Sequence, residues 1–203
     1  MNGLEINLKK QRGLQGAPIY LTVGGIEPRK NSIKLLQAFG EVLKECPNAQ
    51  LAIAGGSTLF DYQDYRDEFF EVAEELQIEI NRSLIILGAI ADLELPPLYR
   101  IADAFVFPST KEGWGLVVME AIASGIPVIT SNQSPFTEFL SETQALLVDP
   151  NSPQAIAQAM KSILEPNLSL SLVQESQSIL SRYSWETSAQ IHLHYYHKLL
   201  DSC

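Results

Sequence analysis

A chain of 203 residues, 46% hydrophobic and 19% charged, suits one domain with a small appendage. At that size roughly 70% of the unfolded surface is buried, so no disulfide or structural metal is needed to hold the fold. The formal net charge of −10 sets the chain against nucleic acid and anionic membrane surfaces.

In chain order, residues 1–17 carry little apolar periodicity and no signal-peptide core, and read as a linker or a strand remnant. Six short apolar runs follow: Ile19–Val23, Leu51–Ala54, Leu84–Leu87, Ala104–Phe107, Pro127–Thr130 and Ala145–Val148. Each is too short for a helix and is closed by Gly, Pro, Ser or Asn. Their unbroken apolarity predicts strands covered on both faces, as in a parallel sheet.

Helical patterns lie between them. One runs from Ile33 through Leu36, Phe39 and Leu43 towards Pro47, with Asn31 or Ser32 as its cap. Others are Asp64–Leu76 (acidic, with a solvated face), Leu95–Ala102 and Leu116–Ser124. The alternation predicts an α/β fold, a doubly wound, parallel, six-stranded, Rossmann-like sheet, with additional C-terminal helices. Ser152-Pro153 opens the first of these, which runs to about Leu164; a second covers roughly Ser169–Leu180, and Ser184 caps a third, Trp185–Leu200. No run is long and unbroken enough to span a membrane: Glu120, Gly125 and Pro127 interrupt the longest. Cys46 and the terminal Cys203 form neither a metal spacing nor a disulfide framework, which fits a reducing cytoplasm.

In open α/β sheets ligands sit beyond the carboxyl ends of the strands, so the residues that follow each strand are the candidates. After the first strand come Gly24-Gly25-Ile26-Glu27-Pro28-Arg29-Lys30-Asn31, where two cations cluster just before a helix in an otherwise acidic chain. Helix-start amides aided by Lys or Arg make an anion site, although two solvated cations in a turn would look the same. After the fourth strand come Glu112-Gly113-Trp114-Gly115-Leu116-Val117, where flanking glycines lead into an apolar helix whose first amides are free for phosphate oxygens. Glu120 is the only charge in that helix and lies roughly one turn past those amides, where ribose hydroxyls would suit it. The alternative is a solvated helix residue. Gly88–Asp92, with Ile90, is a weaker ligand-facing loop, and Gly55-Gly56 is weaker again. His192, His194 and His197 have spacings of two and three, not the i, i+4 of a helical metal pair, and no metal site is expected there. Trp185, Tyr195 and Tyr196 read as packing residues.

Taken in order, these residues resemble the carboxyl-terminal domain of the family 4 retaining glycosyltransferases, enzymes with the two-Rossmann (GT-B) fold. The resemblance rests on strand-Gly24-x-x-x-Pro28-x-Lys30, Leu98-Tyr99 through Ala102-Asp103 to Phe107-Pro108-Ser109, and Glu112-x7-Glu120 around Gly113-Trp114-Gly115. It continues through Ser124–Ile129, past Pro135 and Glu138, to Leu147–Pro150 and Tyr183–Glu186, and spans about residues 18–200. It implies a nucleotide-sugar-binding domain over 18–165. Helices over 166–203 would pack on it and towards an amino-terminal acceptor domain absent from this chain.

By the same resemblance Lys30 contacts the diphosphate, supported by the amides of Gly115–Val117, and Glu112 faces the donor sugar. Lys30 and Glu112 are thus the expected catalytic pair. Glu120 binds ribose, and residues near Ile90 line the base. The implied activity is transfer of a hexose from a UDP- or GDP-sugar to a glycan or lipid-linked acceptor, without a cofactor or metal, in the cytoplasm or at the inner membrane through the missing domain. The family carries an Arg directly after the glycine of the first loop. Gly25 stands there instead, and Arg29 is the candidate replacement. Two rivals are a non-catalytic nucleotide-binding module or subunit of a two-chain transferase, and a flavodoxin-like domain without a sugar ligand; an acidic cluster after the first strand would favour the latter and is absent.

Overall fold

A computed structural model of the chain describes residues 3–56 and 62–201. Its six strands are β1 (Ile19–Val23), β2 (Gln50–Ala54), β3 (Leu84–Gly88), β4 (Ala104–Phe107), β5 (Val128–Ser131) and β6 (Leu146–Val148). All pair in parallel, in the order β3-β2-β1-β4-β5-β6. Alternate strand residues serve opposite faces, and both faces are apolar. Tyr20, Leu51 and Ile53 join one core beneath α2 (Ser32–Leu43), α3 (Gln63–Glu75) and α7 (Pro153–Ser162). Leu21, Ala52, Ala54 and Phe105 join the other, beneath α4 (Leu95–Ile101), α5 (Leu116–Ala123) and α8 (Pro166–Leu180). Continuous apolar strands are what this double cover requires. On the acidic helix α3 only Phe69 and Ala73 are buried.

The strand order makes the loops after β1 and β4 leave neighbouring strands in opposite directions, which opens a crevice at the carboxyl edge. Buried side chains tie the loops of that edge together. Asn31 Nδ2 donates to the carbonyls of Pro108 (3.1 Å) and Pro150 (2.6 Å), and Ser131 Oγ donates to Ser109 O (2.6 Å).

Four features differ from the sequence expectations. The amino-terminal segment is not a linker: Gly3–Gln11 forms helix α1, which buries Glu5 and Leu8 and ion-pairs Glu5 with Arg100 of α4 at 2.6 Å. Its apolar residues Leu4 and Ile6 face solvent, so no apolar stripe betrays the helix. A single turn, α6 (Phe136–Phe139), follows β5 and is too short to show a period. Asn31 precedes α2 in a left-handed conformation (φ 60°) rather than the extended one of a capping residue, and its side chain ties loops together through Nδ2 instead of capping the helix. Ser152 and Ser184 do cap α7 and α9 (Trp185–Leu200), accepting from Ala155 N and Thr187 N.

The fourth difference is α9 itself. It buries none of its residues, and Trp185 is 84% exposed, so its aromatics are not packing residues within this chain. Cys203 lies outside the described residues.

Candidate functional site

The loop after β1 turns at Gly24 (φ 136°), passes through a 3-10 turn, Pro28–Lys30, and enters α2. Glycine is favoured at position 24 by this positive φ, which other residues rarely adopt. A Cβ would lie 2.7 Å from Lys30 Cε, so even alanine would push the lysine off its seat. That seat is the end of β4. Lys30 Nζ lies 4.5 Å from the centroid of the Phe107 ring and 2.7 Å from Glu112 Oε1. Burial lowers the Lys30 pKa below the ordinary lysine value, and the hydrogen bond and charge of Glu112 oppose that fall.

Arg29 reaches the same oxygen. Its Nη1 is 3.2 Å from Glu112 Oε1, and its Nε is 2.8 Å from Oε2 of the buried Glu27. Two cations from the β1 loop thus converge on one carboxylate from the β4 loop. Ser109 Oγ completes the junction, 3.0 Å from Glu112 Oε1 and 2.7 Å from the Arg29 carbonyl. Thr110 N donates to the same carbonyl at 2.9 Å, so backbone as well as side chain joins the two loops.

Beyond Glu112 the chain turns at Gly115 (φ 92°), where a Cβ would lie 2.6 Å from Phe136 Cε1. Gly115 precedes α5 without supplying a side-chain cap, so the first amides of α5 have no side-chain acceptor of their own. Leu116 is exposed and Val117 half-buried at this helix start, and Gly113 is exposed beside them. Trp114 stacks on Phe139 (centroids 5.1 Å apart) and meets Tyr183 edge-on, which fixes the loop against the core. Glu120, one turn into α5, is exposed and accepts a hydrogen bond from Tyr99 Oη at 2.8 Å. Ile90 follows β3, half-buried, and Gly25 is buried beside the Gly55–Gly56 loop.

The fold therefore unites Lys30, Arg29 and Glu112 by direct contact and sets Glu120 further along α5. Ile90 lies in the loop after β3, packed against the second core, and makes no contact with these charged groups. Sequence reasoning gives no role to three residues that brace these groups: Glu27 against Arg29, Ser109 against Glu112, and Tyr99 against Glu120. Glu27 and Arg29 are two residues apart and Ser109 and Glu112 three, whereas Tyr99 and Glu120 are 21 apart and meet only in the fold. The histidines of α9 do not converge. Among the described residues no group of His, Cys, Asp and Glu could hold a metal ion, and no helix is long and apolar enough to cross a membrane.

A crevice of this geometry, with cations and uncapped helix amides at the switch point of a parallel sheet, suits an anionic nucleotide. The comparisons define the class. The family model for glycosyl transferases group 1 matches residues 5–181, and the chain belongs to that family, with a Rossmann-like domain of the GT-B fold. It is 31% identical over 185 residues to O-antigen chain mannosyltransferase B of Escherichia coli, covering 90% of this chain and 46% of that protein. It superposes on sucrose-phosphate synthase from Thermosynechococcus elongatus with a TM-score of 0.83 at 28% identity, covering 98% of this chain and 49% of the other. The Anabaena protein HepE, solved with UDP-glucose, shares the fold with a TM-score of 0.79 at 24% identity, over 90% of this chain and 49% of its own. The chain spans about half the length of these relatives, consistent with the carboxyl-terminal domain that the motif order implies.

Proposed function

We propose that this chain is the donor-binding domain of a retaining glycosyltransferase that transfers a hexose from a UDP- or GDP-sugar to a glycan or lipid-linked acceptor. The observation that carries the reading is the convergence of Lys30 and Arg29 on Glu112, beside the uncapped start of α5. In the free chain Glu112 and Glu27 together neutralise the two cations. A diphosphate that enters takes over their hydrogen bonds, and the displaced carboxylate turns to the donor sugar. As the bond from the sugar's anomeric carbon to the diphosphate breaks, negative charge grows on the departing oxygen. Preorganised donors help most at that point, and Lys30, Arg29 and the amides of Gly115–Val117 would supply them without a metal.

Arg29 takes the place of the cation missing at Gly25, held in position by the buried Glu27. Glu120 receives the ribose, and Ile90 borders the base. The acceptor belongs to a further domain, in cis or on a partner chain, and the exposed apolar side chains of α9 favour such a partner. Such an enzyme works in the cytoplasm or at the inner face of the membrane. The test is a thermal-shift panel of UDP, GDP, ADP and their sugars. A ligand at 100 times its dissociation constant stabilises the fold by about 2.7 kcal/mol, which reads as a clear rise in melting temperature. No shift with any of them at millimolar concentration overturns the reading.

A further inference from the structure

We propose that Tyr99 is a positioning residue for the nucleotide's ribose, acting through Glu120; this rests on the donor-binding reading above. Tyr99 stands on α4 with its ring fully buried, 5.4 Å from Phe105 in an edge-on contact. Its hydroxyl emerges at the side of α5, where two acceptors compete for one proton: Glu120 Oε2 at 2.8 Å and the Val117 carbonyl at 3.2 Å. The carboxylate is nearer and charged, and takes the stronger bond. Burial, together with the charge of Glu120, pushes the phenol pKa up, so the hydroxyl stays protonated and remains a donor.

Among the described residues no cation pairs with Glu120. An exposed glutamate without an anchor samples several rotamers, and ordering it on binding costs free energy. The Tyr99 bond restricts one carboxylate oxygen before any ligand arrives. The other oxygen and the remaining lone pairs are left for the two hydroxyls of a ribose. The chemistry therefore selects a vicinal diol: ribonucleotides are favoured over nucleotides lacking the 2′ and 3′ hydroxyls, and Tyr99 sets the size of that preference.

The experiment compares UDP, GDP and ADP with their 2′,3′-dideoxy analogues by calorimetric titration of the 203-residue chain. The wild type is expected to prefer whichever ribonucleotide it binds by about tenfold or more over the dideoxy analogue. Glu120→Gln erases the preference. Tyr99→Phe reduces it about threefold or more while the dideoxy affinity stays unchanged, and the double variant matches Glu120→Gln alone because the two residues act as a unit. A Tyr99→Phe variant that keeps the full preference, or that weakens both analogues equally, overturns the inference and makes Tyr99 a core residue only.

If Tyr99→Phe does not fold, Glu120→Ala supplies a second measurement. Loss of the carboxylate partner lowers the melting temperature by a few degrees if the bond matters, and an unchanged melting temperature contradicts it. Binding of a nucleoside diphosphate with no ribose preference in the wild type overturns the role of Glu120, and this inference with it, while leaving the diphosphate site standing. No binding of any of the three nucleotides overturns the parent reading itself.

Discussion

At the scale of single residues the site is a set of charges held ready and mutually neutralised. Lys30 is nine-tenths buried, over an aromatic ring and against one carboxylate, and that placement gives a pH dependence whose sign can be worked out. Phosphate binds the protonated amine, so affinity falls as pH rises through the Lys30 pKa. Burial has lowered that pKa, so the decline should begin at a lower pH than for an exposed lysine. Lys30→Ala is expected to weaken nucleoside diphosphate binding by about tenfold or more and to flatten this decline; titration calorimetry from neutral to alkaline pH measures both. An alkaline decline that persists unchanged in Lys30→Ala would place the titrating group elsewhere. Linkage to stability runs the other way. Between the lowered folded value and the ordinary one the unfolded chain binds more protons, so stability from this group rises with pH across that window.

At the scale of elements, the turns that aim these residues depend on close approach. Gly115→Ala puts a methyl group against the Phe136 ring at a positive φ, so both strain and overpacking act. It is expected to lower stability by about 1–3 kcal/mol, measured by denaturant titration, and to weaken nucleotide binding because the start of α5 is displaced. Unaltered stability would mean that Phe136 yields freely. Helix α1 gives a second test. Leu8 is 4% exposed in the second core, and Leu8→Ala is expected to destabilise the domain by about 2 kcal/mol, at the lower end for a buried leucine because the helix is terminal. A neutral result would return residues 3–11 to the status of a linker.

How much of this was legible in the sequence differs between elements. The six strands agree with their apolar runs to within a residue or so, because double burial demands continuous apolarity and Gly, Pro or Ser ends each run. Helices α2, α3 and α7 agree for a similar reason, each carrying a stripe of apolar residues on one face. Helix α1 was not legible, since it is held by one buried leucine and a half-buried ion pair rather than by a stripe. The convergence on Glu112 was legible only in part. Its members are 82 and 83 residues apart, and only the strand order brings β1 and β4 side by side. Tyr99 was recognisable as part of a motif, but its bond to Glu120 depends on the packing of α4 against α5.

At the scale of the whole molecule, the chain spans about half the length of the relatives it matches, and the proposed function gives it the donor side of the chemistry. Transfer needs the acceptor hydroxyl held against the donor carbon with water excluded, and the proposed division of labour puts the acceptor on another domain. The 203-residue chain alone is expected to bind a sugar nucleotide and to hydrolyse it slowly at most. Transfer should appear when an acceptor-binding domain is supplied in cis or in trans; mass spectrometry of the products checks this. Robust transfer by the isolated chain would locate an acceptor site within it.

On the proposed function the donor binds at the carboxyl edge, between the loops of β1 and β4. Amide chemical-shift mapping of the labelled chain, titrated with UDP-glucose and GDP-mannose, measures where it binds. The expected perturbations are at Gly24–Asn31, Glu112–Glu120 and Ile90, on one edge of the sheet. Perturbations confined to the opposite edge, around Gly16, Gln50 and Arg82, or none with either nucleotide sugar at saturating concentration, would contradict it.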